Sequence, residues 1–356
     1  MSRPESDREI EFRIKNDQAD ESAGSAFPLT SRKQAIEDFD KETQIVDVDR
    51  VAAAPLSGDL AKLLDSAETL FEAKDYKPAH DLFEAVLKRD HQNEQALKGL
   101  ASTAIHLGRQ GEALLAIRKL TKVHPNFANF VWLADELYLN DMIDEAHETY
   151  MKAQLQPHFE SEVLFRVFKN LGNIALRKSD LDAAEEYYNK AFTLQPDSDA
   201  LLVNFGSLAI HRGELDVAVR RFRQAVEINR ANEKAWIGLG MIHREFGDSE
   251  LAWANIERAL DIDNGNETAI KLVCEWALKD NEIVRAIQLN DLYLINQPQD
   301  AFIHMMQAKF LYLLARIEEA RIEIEEALSL QPDLQDAGDL KEIIMSEIEQ
   351  REAQFK

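Results

Sequence analysis

Apolar positions along most of the chain recur at helical spacing, and from Leu60 onward they also recur in a longer cycle. The cycle is plainest in Phe168-x2-Leu171-Gly172-x2-Ala175, followed by Ala184-x3-Tyr188-x2-Ala191 and then Pro196. Thirty-four residues on, the same offsets hold Leu202, Phe205, Gly206, Ala209, Ala218, Phe222 and Ala225. A further step of 34 gives Trp236, Leu239, Gly240, His243, Ala252, Ile256 and Ala259. Weaker copies follow at Ile270, Val273, Cys274, Ala277 and Ala286, and at Ala308, Leu311, Ala320, Ile324 and Ala327. Upstream copies lie at Leu63, Ala67, Ala79 and Phe83, at Leu97, Ala101, Ala113 and Ile117, and at Phe130, Ala134, Ala146 and Tyr150. The copies open near residues 60, 94, 127, 165, 199, 233, 267 and 301, so the pattern predicts eight units of two helices each.

Each predicted helix, at about 14 residues, is too short to be stable alone and must bury its face on neighbours. Gly172, Gly206 and Gly240, with Ala184, Ala218 and Ala252, are expected where the two helices of a unit approach closely. The larger Tyr188, Phe222 and Trp236 are expected to fill the space between units. Ser179-Asp180 and Arg212-Gly213 read as turns between the helices, and Pro125, Pro196, Pro298 and Pro332 stop the second helix. Units that bury surface only against their neighbours make an all-α solenoid.

The spacing resembles the tetratricopeptide repeat over residues 60–334. The resemblance implies a right-handed superhelix in which the first helix of each repeat (helix A) lines a concave groove that binds peptides or partner proteins. Two departures stand out. The fourth unit starts 38 residues after the third, and the extra residues at 158–164 amount to about one helical turn. They read either as a tolerated insertion or as a kink dividing the first three units from the rest, with Ser161 placed to cap a lengthened helix. Residues 335–356 carry Leu340, Ile343, Ile344 and Ile348 on one stripe among polar residues, as expected of a C-terminal capping helix.

Residues 1–58 break the pattern. With 13 acidic and 8 basic residues and only isolated apolar positions, they read as a disordered acidic tail. The whole chain of 356 residues has a formal net charge of −24, which argues against nucleic-acid binding as its main task. The single cysteine, Cys274, excludes a disulfide framework and suits a reducing, cytoplasmic setting. It occupies a small-residue position and reads as a buried packing thiol. Neither a signal peptide nor a membrane-inserting run is expected from the sequence pattern.

No catalytic signature, phosphate-binding loop or metal-ligand cluster stands in the sequence, so neither an enzyme nor a cofactor is expected. The expected function is a non-enzymatic adaptor or scaffold for partner protein segments. The alternative is a regulatory or assembly subunit of a separately encoded enzyme or of a secretion, motility or signalling complex. The groove positions that the resemblance implies hold Arg166, Lys169, Asn173, Arg177, Asn204, Lys234 and Arg244, a basic cluster in an acidic chain that favours an acidic partner. Within it, Lys169, Asn173, Asn204 and Lys234 resemble the clamp by which some tetratricopeptide proteins hold a C-terminal carboxylate. Gly238 stands where the clamp has arginine. Phe302, Met305 and Tyr312 form a second, apolar groove candidate.

Overall fold

A computed structural model of the chain describes residues 58–157 and 161–354. The expectation of a disordered tail falls on residues 1–57, outside the described residues, except that Gly58 already opens the first helix. The described residues hold seventeen α-helices and no strand. None of these helices is long and apolar enough to cross a membrane.

The chain separates into two compact units, Met1–Glu160 and Ser161–Lys356. The first contains α1 (Gly58–Glu72), α2 (Tyr76–Leu87), α3 (Glu94–His106), α4 (Gln110–Val123), α5 (Phe127–Leu139) and α6 (Ile143–Gln154). The second contains α7 (Ser161–Arg177), α8 (Leu181–Leu194), α9 (Asp199–His211), α10 (Leu215–Ile228), α11 (Glu233–Glu245) and α12 (Ser249–Ile262). It continues through α13 (Glu267–Asp280), α14 (Ile283–Asn296), α15 (Ala301–Leu313), α16 (Ile317–Leu330) and α17 (Gln335–Gln354). The odd-numbered helices α1 to α15 are the A helices, and the even-numbered ones are their B partners. Each unit is an α-solenoid whose helices pack chiefly on the preceding and following helix.

Short polar side chains start most A helices. Asn93, Asn126, Ser198, Asn232, Asn266 and Asp300 each accept a hydrogen bond from the backbone N–H three residues on. The helix α7 is longer than the other A helices, and Ser161 is its first residue rather than the cap before it. A left-handed residue closes every A–B turn: Lys74, Gly108, Asp141, Ser179, Gly213, Gly247, Asn281 and Ala315. These eight follow the repeat spacing of the sequence, so the turn is a backbone feature that only three repeats mark with glycine.

Packing follows the small-to-large scheme. A Cβ on Gly172 would meet the Tyr188 ring at 2.3 Å, and one on Gly206 would meet the Phe222 ring at 2.7 Å. Phe222 also lies against the next repeat, where a Cβ on Gly238 would be 2.5 Å from its ring. In the first unit, the ring of Phe83 fills the space over Gly99 in the same way, 2.3 Å from where a Cβ would stand. The ring in each case occupies the volume that the missing side chain leaves open.

The α13/α14 repeat departs from this scheme. Asn290 takes the core position that Tyr188, Phe222, Ile256 and Ile324 hold in other repeats, and it is fully buried. Its amide donates to Gln307 Oε1 at 3.1 Å and its carbonyl oxygen accepts a contact from Cys274 Sγ at 3.5 Å. Gln307 in turn donates to Asp291 Oδ1 at 2.6 Å. The α13/α14 pair packs less closely than the other A–B pairs of its unit. Cys274 is buried as expected of a packing thiol, and burial pushes its pKa up to about 12. At the C-terminal end, α17 lies on α16 and buries Ala337 and Ile344 in the core, while Ile343 remains half exposed.

Candidate functional site

Within Ser161–Lys356, three contacts tie the A helices into one surface. Asn204 on α9 donates to Asn173 Oδ1 on α7 at 2.8 Å. Arg244 on α11 forms an ion pair with Asp280 at the end of α13. Lys271 on α13 lies over the Phe302 ring of α15, 5.8 Å from its centroid. The helices α9 and α11 touch directly. Successive A helices therefore present their corresponding positions side by side.

The basic residues are disposed unequally on this surface. Arg166, Arg177 and Lys234 are exposed and Lys169 is half-buried, and all four already interact with neighbouring groups of the chain. Arg244 is committed elsewhere, contrary to the expectation of a groove cation. Its guanidinium pairs with Asp280, donates to Ser249 Oγ at 3.2 Å and lies 5.3 Å from the Trp276 ring centroid. Trp253 Nε1 donates to the same Asp280 carboxylate at 2.8 Å. The Arg244 hydrogen bond, outweighing partial burial and helped by Trp253, holds Asp280 below the usual carboxylate range. The pair thus cancels the charge the sequence assigned to this end of the cluster. His211, on the same face, adds little charge, because burial holds its imidazole below the usual range.

The two asparagines of the clamp-like set turn toward one another. The Asn173 side chain is buried, and its carbonyl oxygen accepts from both Tyr188 Oη at 2.9 Å and Asn204 Nδ2. The arginine of the resembling clamp is excluded at Gly238 because the Phe222 ring fills the space of any side chain there. Lys169 and Lys234 are the cations left at the clamp-like positions.

In the second groove candidate, Met305 is buried in the core and Phe302 is partly exposed under Lys271. Tyr312 is half-buried and lines an open depression of about 520 Å³ with Asp339, Glu342, Ile343 and Glu347 of α17. Sequence reasoning missed Leu278 and Leu313, the apolar side chains most exposed on the A faces of α13 and α15. Their sequence signal was a leucine at a groove position. The A-helix surface therefore runs from lysines on α7 and α11 to an apolar, acid-flanked end beside α17.

Among the described residues no group of three or more histidine, cysteine, aspartate or glutamate side chains is placed to hold a metal ion.

A solenoid of paired antiparallel helices with small-residue A–B contacts defines a helical-repeat protein. The tetratricopeptide repeat profile matches residues 64–126, 166–198 and 203–267. The chain is a tetratricopeptide repeat protein. Solved structures with the same fold include yeast Tom70, with a TM-score of 0.58 at 17% identity, covering 90% of this chain and 73% of that one. A tetratricopeptide repeat protein from Parabacteroides merdae has a TM-score of 0.55 at 14% identity, covering 81% of this chain and all of that one. PilW, a type IV pilus biogenesis factor, has a TM-score of 0.51 at 16% identity, covering 61% of this chain and 99% of that one. At these identities the likeness is one of fold. No curated protein matches the chain.

Proposed function

We propose that the protein is a non-catalytic adaptor that holds a segment of a partner protein across the A-helix surface of Ser161–Lys356. The observation that carries this reading is the side-by-side alignment of corresponding A-helix positions, made by the Asn173–Asn204, Arg244–Asp280 and Lys271–Phe302 contacts. Such a surface is preorganised, so a bound segment bears most of the ordering cost and the protein little of it.

The uneven charge gives the segment a direction. Acidic side chains belong over Lys169 and Lys234, where exchange of existing partners for a carboxylate keeps the lysines paired. Apolar side chains belong toward Leu278, Phe302 and Leu313, and the carboxylates around Tyr312 disfavour acidic residues there. The test is to recover partners on the wild-type chain, identify the bound segment, and titrate it against two variants. Lys169→Ala/Lys234→Ala should weaken binding by about 1–3 kcal/mol in low salt and by less in high salt. Leu278→Ala/Leu313→Ala should weaken it with no salt dependence. A segment that binds both variants like wild type would show that it docks elsewhere.

A further inference from the structure

Among the described residues of this acidic chain, most arginines pair with carboxylates. At least nine in the described residues form ion pairs, from Arg109 with Glu112 to Arg351 with Glu347. The arginines of α10 do not follow this rule. Arg220 and Arg223 lie exposed on its outer face, and Arg230 is exposed in the loop just beyond its end. None of the three has a carboxylate partner among the ion pairs of the described residues, although Asp216 and Glu227 stand one turn from Arg220 and Arg223 on the same helix. Arg221 lies 5.2 Å from the Phe205 ring centroid and donates to Gln224 Oε1 at 3.3 Å, again with no carboxylate. The opposite face of α10 is fixed in the core by Ala218, Val219, Phe222 and Ala225, so these arginines cannot turn inward.

The surroundings narrow what this face fits. Phe192 of α8 meets Phe205 edge-on at 6.2 Å and is partly exposed beside the Arg221 stack, and Ile228 on α10 is 49% exposed. The B helices of the flanking repeats, α8 and α12, each carry more acidic than basic residues. The arginines of α10 therefore make a narrow positive strip, interrupted by Asp216 and Glu227, with apolar side chains beside it. A bilayer surface would meet the acidic flanks, and an RNA strand would find too few cations and no row of stacking rings.

We propose that the outer face of α10 is a second docking surface, taking a short acidic protein segment with at least one large apolar side chain. Guanidinium forks suit closely spaced carboxylates, and Phe192 and Ile228 offer contact area for the apolar residue. This surface is separate from the A-helix surface, so one chain would hold two protein segments on opposite sides of the same repeat.

The experiment uses the full chain and a short Glu-rich synthetic peptide with a central benzoylphenylalanine as photo-crosslinking probe. Fluorescence anisotropy measures affinity, and mass spectrometry locates the crosslinks. Crosslinks to α8 and α10 are expected. Affinity should fall about tenfold or more in Arg220→Glu/Arg223→Glu and fall measurably in the milder Arg220→Gln/Arg223→Gln. Lys169→Ala/Lys234→Ala should leave the α10 crosslinks in place, which separates this surface from the A-helix surface whatever the fate of that reading. Crosslinks confined to α7 and α11, or wild-type affinity in Arg220→Glu/Arg223→Glu, would overturn the proposal. So would tighter binding of a uridine oligonucleotide that depends on the same arginines. Circular dichroism checks that the exposed substitutions leave the fold intact.

Discussion

The turn residues show what a single position contributes. Eight residues with φ between 57° and 79° close the A–B turns, and five of them carry a side chain. A left-handed conformation crowds Cβ against the following carbonyl, at about 1–2 kcal/mol for a non-glycine residue. Glycine avoids this crowding and loses part of the gain to its greater freedom in the unfolded chain. Ala315→Gly should therefore raise stability by roughly 0.5–1 kcal/mol, and Gly213→Ala should lower it by a similar amount. Urea denaturation of the two variants checks both signs at once, and equal effects in the same direction would contradict the conformational account. The turn was only partly legible in the sequence. Arg212-Gly213 and Ser179-Asp180 announce themselves, whereas Lys74 and Ala315 reach the same φ with no glycine to mark it.

At the scale of the element, helix identity was legible because glycine, alanine and aromatic residues recur at fixed offsets, and each offset has one steric job. What a side chain bonds to across repeats was not legible. Asp280 lies 36 residues beyond Arg244, and nothing local to either predicts that they meet under Trp253 and Trp276. Asn173 reads as a ligand residue by position, yet the Tyr188 hydroxyl from the B helix and Asn204 from the next repeat take up its oxygen. The buried amide pair on α14 and α15 gives a sharper test. In Gln307→Leu the Asn290 amide is left buried and unbonded, at about 1–3 kcal/mol. Replacing both, as Asn290→Ile/Gln307→Leu, restores the apolar core of neighbouring repeats and should recover most of that loss. The double-mutant cycle would then show a coupling of at least about 1 kcal/mol. Additive losses would mean that the amides contribute independently.

For the whole molecule, the acidic excess explains why charge on this protein is informative where it runs the other way. Carboxylates pair with most arginines of the described residues, so basic side chains without them stand out on α10. The nearest-neighbour packing of each unit also sets how far damage travels. Gly206→Leu pushes on the Phe222 ring, which touches α9 and α11 alike, and should cost about 1–3 kcal/mol. Hydrogen exchange should speed up in α9, α10 and α11 and stay at wild-type rates in α15, α16 and α17. Equal loss of protection along all of Ser161–Lys356 would contradict the nearest-neighbour account.

Phe222 belongs to two repeats, since one ring fills the space over Gly206 and over Gly238. This limits how the array can be reshuffled by duplication and loss. Removal of residues 233–266, one full repeat of 34, would carry Leu272 to the place of Gly238. A leucine side chain would then stand where the ring already lies. The repeats are alike in backbone but not interchangeable in sequence, since Gly99 and Gly238 each leave room for the ring of the repeat before. Shortening the chain at that point would need a change at Leu272 or Phe222 as well, so these two repeats are matched to each other by one ring.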